Sequence, residues 1–253
     1  MTPKIVSMLA SLHSGAYLQE HGESLSAERP VPFVTISRQA GAGGTTLAQA
    51  LERRLNQLDP GERPWTTWDK ELVQKVAIDQ HIPASLVESL ESEGAHPSWF
   101  EEFLSGLGTT GGPDLDEYQL FRRVAVTVRA LALVGRCILV GRGAVYATSD
   151  LPGGVHVRLV APLAHRIAHL AQLRNLSEKE AAVEVHRIDR EREAFHRRYL
   201  SEKAMLPEMF TITLNSDKVD DEQMVDCILP LVRAVREAAP EHKKAVEVSH
   251  ENQ

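Results

Sequence analysis

Between Ser37 and Leu47 the chain reads Ser37-Arg38-Gln39-Ala40-Gly41-Ala42-Gly43-Gly44-Thr45-Thr46-Leu47, with three glycines and two threonines directly behind an apolar run. A glycine-rich turn between a strand and a helix points successive backbone N–H groups inward. It also aims a helix N-terminus at the same spot, and both favour bound phosphate. The usual pattern, G-x-x-x-x-G-K-[ST], adds a lysine that reaches the β- and γ-phosphates and a hydroxyl that binds magnesium. Here Arg38 stands in the first glycine slot, Gly43 in the second, Gly44 in the lysine slot and Thr45 in the hydroxyl slot, with Thr46 next. Nucleotide phosphates, as in ATP, are thus the expected ligand of Arg38, Gly41, Ala42, Gly43, Gly44, Thr45 and Thr46. Thr45 and Thr46 are the candidate magnesium ligands. Arg38 is the candidate substitute for the lysine, because a guanidinium bridges phosphate oxygens bidentately. The competing reading is a tight turn and nothing more; its place between a strand and a helix favours phosphate.

A second cluster is His186-Arg187-Ile188-Asp189-Arg190-Glu191-Arg192, inside a helical pattern. One reading is a solvated face laced with i,i+3 and i,i+4 ion pairs. The other is an arginine-bearing lid that closes over phosphates and neutralises charge during phosphoryl transfer. Arg166 and Arg174, on the preceding helix, would add to the same basic surface. Arg142, between Gly141 and Gly143 behind a strand, either binds ligand or caps sheet carbonyls. Asp69 either caps a helix through Val73 and Val76 or contacts substrate or magnesium. The eleven histidines lack spacing such as H-E-x-x-H, so no metal site built from protein ligands is expected. Trp65, Trp68 and Trp99 read as packing residues.

Strands must carry these segments. Apolar runs predict strands over 32–37, 65–68, 137–140, 155–160 and 210–214. Helical periods predict helices over 44–57, 115–134 (stripe Leu120, Val124, Val128, Leu131), from Pro162 to Leu173, from a capping box at Ser177 through Tyr199, and over 220–238. Short helices and a glycine loop are expected over 82–114. Short apolar strands alternating with helices predict an α/β fold, a mostly parallel sheet covered on both faces. In such sheets ligands bind beyond the carboxyl ends of the strands. The glycine loop, Asp69, Arg142, the start of the helix at 162 and Asn215-Ser216-Asp217 should therefore converge.

The 253 residues, 43% hydrophobic, suffice for one large core. Residues 31–239 are expected to form one domain, with 1–30 an arm or leader and 240–253 a polar tail. A net charge of −7 and a pI near 5.9 argue against a nucleic acid polymer as partner. No apolar run spans a bilayer. Cys137 and Cys227 both read as buried thiols of a reducing compartment, so a cytoplasmic protein is expected.

The motifs resemble those of nucleoside monophosphate kinases, and most closely the cytidylate kinase-like family. Ile36 to Leu47 is similar to the cytidylate kinase phosphate loop, with Gly41-Ala42-Gly43 and Thr46-Leu47 in register. Val140-Gly141-Arg142-Gly143-Ala144 resembles the G-R-D-like strand end that meets the acceptor nucleotide, with Gly143 in the aspartate slot. Asp189-Arg190-Glu191-Arg192 resembles the D-R-x-R lid segment, and Ala161 to Ile167 the A-x-x-x-x-R-I stretch before it. The resemblance implies a P-loop NTPase-type three-layer sandwich with a helical lid at about 162–205. It implies ATP and magnesium as cofactors and a small nucleotide acceptor, CMP or dCMP, held by Asp69, Arg142 and Asp189. Arg38, Arg190 and Arg192 would be the catalytic cations. A small-molecule kinase with a non-nucleotide acceptor, or a non-catalytic nucleotide-binding regulator, are the alternatives.

Overall fold

A computed structural model describes residues 30–61, 63–69, 115–141, 143–199 and 205–237. The expected helix after Asp69, the segment 82–114, Trp99, Arg142 and both terminal stretches lie outside these described residues.

Five strands form one sheet: β1 (Phe33–Arg38), β2 (Thr66–Trp68), β3 (Cys137–Val140), β4 (Gly154–Val160) and β5 (Ile212–Asn215). Their order is β2-β3-β1-β4-β5, and every pairing is parallel. Val34 of β1 stands opposite Ile138 on one side and Val155 on the other. The helices are α1 (Gly44–Leu58), α2 (Leu115–Val134), α3 (Ala144–Thr148), α4 (Leu163–Arg174), α5 (Glu178–Tyr199) and α6 (Asp221–Glu237).

Period-two geometry sends alternate strand residues to opposite faces, and here both faces are dry. Val34, Ile36, Ile138, Val155, Val157 and Leu214 pack with Leu47 and Leu51 of α1 and Met224 and Ile228 of α6. Phe33, Trp68, Cys137 and Leu139 meet Val128 and Leu131 of α2 and Ala144 of α3 on the other face. This is the expected three-layer α/β sandwich of P-loop type. The connection after β1 leads to β2, beyond β3, whereas the one after β3 leads to β4, on the far side of β1, so the chain leaves these two neighbouring strands in opposite directions. That puts a crevice at the carboxyl ends of β1 and β3.

Element edges differ from the sequence expectation by a residue or two. β5 begins at Ile212, because Pro207–Met209 form a short 3-10 turn and Phe210 lies under the Arg158 guanidinium, 5.3 Å from its ring centre. The five-residue α3 was not anticipated. The capping box at Ser177 is present: Glu180 accepts from the Ser177 backbone N–H at 2.9 Å, and Ser177 Oγ accepts from the Glu180 N–H at 3.3 Å. Cys137 is buried as expected, and burial pushes its thiol pKa up. Cys227 is exposed instead, because the buried stripe of α6 runs through Met224, Val225, Ile228 and Leu229 and position 227 falls beside it. Among the described residues no helix is long and apolar enough to cross a membrane.

Candidate functional site

The sheet hands over to the loop at Gln39, whose N–H still donates to Leu159 O at 3.1 Å. Its side-chain Oε1 accepts from the Ala161 N–H at 3.0 Å, which ties the ends of β1 and β4 together. Two left-handed glycines then turn the chain, Gly41 at φ 76° and Gly43 at φ 82°. Gly43 caps α1: its carbonyl accepts from Leu47 N–H at 3.0 Å and from the Thr46 hydroxyl at 2.8 Å. The N–H groups of Gly44, Thr45 and Thr46, in the first turn, have no intrahelical acceptor. They face outward from the helix N-terminus, where an anion is favoured.

The α4–α5 hairpin holds this loop from the β4 side. The Ala40 N–H donates to Asp189 Oδ1 at 2.9 Å. The Arg166 guanidinium donates to the other oxygen, Asp189 Oδ2, at 2.5 Å, and to Ala40 O at 3.2 Å. Its Nε donates to Ala161 O at 3.1 Å. Arg192 donates to Arg38 O at 2.8 Å, and the His169 Nδ1 lies 2.9 Å from Gly41 O. Beneath these polar contacts Ala40 packs among Leu170, Ala181 and Val185. A side chain at Gly41 would collide with the Arg166 backbone carbonyl, so glycine is required there by contact as well as by φ.

Arg166 is therefore not part of a basic surface: it is buried and ion-paired with Asp189. Arg174 and Arg187 both pair with Glu184, each at 2.7 Å, and Arg187 also pairs with Glu191 at 2.5 Å. Hydrogen bonds led by Arg187 hold the Glu184 carboxyl down to about 2. For these residues the solvated-face reading describes the structure. Arg190 is exposed and has no ion-pair partner among the described residues. Arg192 lies on another side of α5, as a spacing of two requires.

Arg38 occupies a position that the sequence alone does not show. A Cβ built on Gly44 would stand 2.9 Å from Cγ and 3.1 Å from Cδ of Arg38, and one built on Gly141 would overlap its guanidinium. The side chain therefore runs across the lysine slot toward the carboxyl end of β3. Asp69 is exposed at the end of β2, two strands away on the same edge of the sheet. Thr45 is exposed, Thr46 half-buried; a hydroxyl that donates to Gly43 O keeps lone pairs for a cation. Two contributors to the loop carried little sequence signal, Gln39 and His169. The second stands one turn beyond Arg166, a spacing that puts both against residues 40–41.

The parallel order, the left-handed glycine turn opening α1 and the hairpin beside it define an α/β protein of the P-loop type. Residues 33–218 match the profile of the cytidylate kinase-like family, and the chain belongs to that family. No curated protein matches the chain. Among solved structures, an uncharacterized protein from Eubacterium ventriosum ATCC 27560 superposes with a TM-score of 0.60 at 20% identity, covering 80% of this chain and 98% of that one. Shikimate kinase from Bacteroides thetaiotaomicron gives 0.41 at 15% identity, with 80% and 98% covered. A gluconokinase from Sinorhizobium meliloti 1021 gives 0.43 at 10%, with 83% and 96% covered.

Proposed function

We propose that the protein is a kinase that transfers a phosphoryl group from ATP to a small acceptor, a nucleoside monophosphate, with CMP and dCMP the first candidates. The observation that carries this reading is the loop itself. Its two left-handed glycines and the open first turn of α1 sit at the carboxyl end of the central strand. Its backbone is fixed at Arg38, Ala40 and Gly41 before any ligand arrives.

The residues fit a magnesium–triphosphate group. Gly41, Ala42, Gly43 and Gly44 offer backbone, Thr45 and Thr46 offer hydroxyl oxygens, and Arg38 offers positive charge beside them. Bound ATP would supply the transferable γ-phosphoryl group and magnesium would screen its charge. The chain's share is positioning and charge stabilisation, with no covalent step of its own. Arg190 and Arg192 are assigned to the phosphoryl group in flight, and Asp69 and Arg142 to the acceptor. Asp189 has both oxygens engaged with protein, so its assigned part is to hold the loop.

A coupled ADP-release screen with ATP, magnesium, nucleoside monophosphates and small hydroxyl metabolites tests this. ADP release that depends on CMP or dCMP supports the reading. Release dependent on another acceptor class replaces the nucleotide with that acceptor. ATP binding without release in any pairing makes the protein a nucleotide-binding regulator.

A further inference from the structure

Gly44 is the informative residue. Its φ lies outside the left-handed region, so its backbone would accept any L-residue. The loop pattern calls for lysine at this position. What forbids a side chain is Arg38, whose Cγ and Cδ lie 2.9 and 3.1 Å from where a Cβ would stand. Gly141 is glycine by its backbone, at φ 111°, and Arg38 fills the space beside it: the Arg38 Cζ lies 3.2 Å from the place of its Cβ. One arginine thus lies over two glycines from different elements, the first residue of α1 and the residue after β3. Its starting point is fixed, since Arg192 holds the Arg38 carbonyl at 2.8 Å.

We propose that the phosphate-binding cation of this loop has moved from the first residue of α1 to the last residue of β1, and that Arg38 and a side chain at position 44 exclude one another. Gly44 and Gly141 are then a fitted channel for the arginine. The guanidinium approaches the loop from the β3 side, between the phosphates and the acceptor edge marked by Asp69. A lysine at position 44 would approach from α1. A guanidinium offers paired donors to two non-ester oxygens, whereas an ammonium acts as a point charge. The ligand it recognises is the terminal phosphate pair of a nucleoside diphosphate or triphosphate; a monophosphate does not offer that pair. This rests on the proposed nucleotide-binding role of the loop.

Calorimetry with magnesium–ADP and with AMP separates the possibilities, using the full chain and four variants. Arg38→Ala and Arg38→Gln, the second keeping the stem against Gly44, should each lose at least tenfold in ADP affinity while AMP affinity stays level. Arg38→Lys should fall between them and the wild type. Gly44→Lys alone should weaken ADP binding, because two side chains contend for one space. The double variant Arg38→Ala/Gly44→Lys should recover most of the loss, a non-additivity expected only of groups in contact. Wild-type ADP affinity in both Arg38→Ala and Arg38→Gln would overturn the proposal. So would a Gly44→Lys gain that is equally large with and without Arg38. A wild-type chain that binds neither ADP nor ATP removes the nucleotide reading itself, and this inference with it.

Discussion

Asp189 and Ala40, 149 residues apart, are joined by a hydrogen bond from the Ala40 N–H to Asp189 Oδ1 at 2.9 Å. A helix of the α4–α5 hairpin therefore sets the shape of the glycine-rich loop. The remaining oxygen of Asp189 holds Arg166, which returns to Ala40 O and Ala161 O. The ring of contacts closes on itself. Both faces of one peptide segment are tied, so a ligand bound there would not have to order the loop, which would lower the entropic cost of binding.

Asp189→Ala should accordingly act on stability and on affinity together. It leaves the buried Arg166 without its carboxylate and the Ala40 N–H without an acceptor. Stability should fall by about 1–3 kcal/mol for the unpaired groups, with ADP affinity falling roughly tenfold as the loop loosens. Asp189→Asn keeps an oxygen for Ala40 and should spare more affinity than stability. Urea unfolding and calorimetry on both variants check this. Unchanged ADP affinity in Asp189→Ala would show that the latch does not shape the loop.

Gly43→Val should abolish nucleotide binding. A β-branched residue at φ 82° is a strained outlier, and its methyls would crowd the Thr46 hydroxyl, 3.3 Å from the built Cβ. ADP calorimetry on a variant verified as folded by circular dichroism is the measurement. Wild-type affinity there would place the ligand elsewhere.

The layers and the loop were legible in the sequence because they depend on local rules. Runs such as Val34-Thr35-Ile36 and Cys137-Ile138-Leu139-Val140 name strands buried on both faces, and Gly41 and Gly43 mark positive φ. Contacts between distant elements were not legible. Arg166 looks like surface charge when only its own helix is read; its burial follows from Ala40 and Asp189 arriving from elsewhere. Cys227 is apolar enough for a core but falls beside the stripe of α6. Gly44 reads as a lost lysine in one dimension, and as room for Arg38 in three. The short α3 has too few residues to display a period.

His156 supplies a pH dependence. It is buried on β4, its Nδ1 lies 2.9 Å from Thr35 Oγ1, and desolvation pushes its pKa down from 6.5 to about 4. The unfolded chain takes up a proton at higher pH than the folded one, so this group's contribution is fully present above about pH 6.5 and is lost as pH falls toward 4. The slope from this one residue is about 1.4 kcal/mol per pH unit within that window. Urea unfolding from pH 7.5 to 4.5 measures it, with His156→Gln as the non-titrating comparison. An equal slope in the variant would assign the dependence to other groups.

The lid arginines give the sharpest test of catalysis, because their surroundings differ. Arg190 is exposed without an ion-pair partner among the described residues, whereas Arg192 is half-buried and donates to Arg38 O at 2.8 Å. If both neutralise charge on the phosphoryl group in flight, each change to alanine should lower kcat on the order of 10²-fold. Interactions made mainly in the transition state raise kcat rather than tighten ground-state binding. The accompanying stability changes should part company. Arg190→Ala should stay within about 0.5 kcal/mol of wild type as a surface substitution. Arg192→Ala should cost about 1 kcal/mol or more for the lost bond to the loop carbonyl, and should also weaken ADP binding by releasing Arg38. Steady-state kinetics with parallel urea unfolding decide between roles. Wild-type kcat in Arg190→Ala would make that arginine part of the solvated face with Arg174 and Arg187. An Arg192→Ala effect confined to KM would make Arg192 a support for the loop; the two outcomes together would leave Arg38 as the one cation of these three at the phosphates.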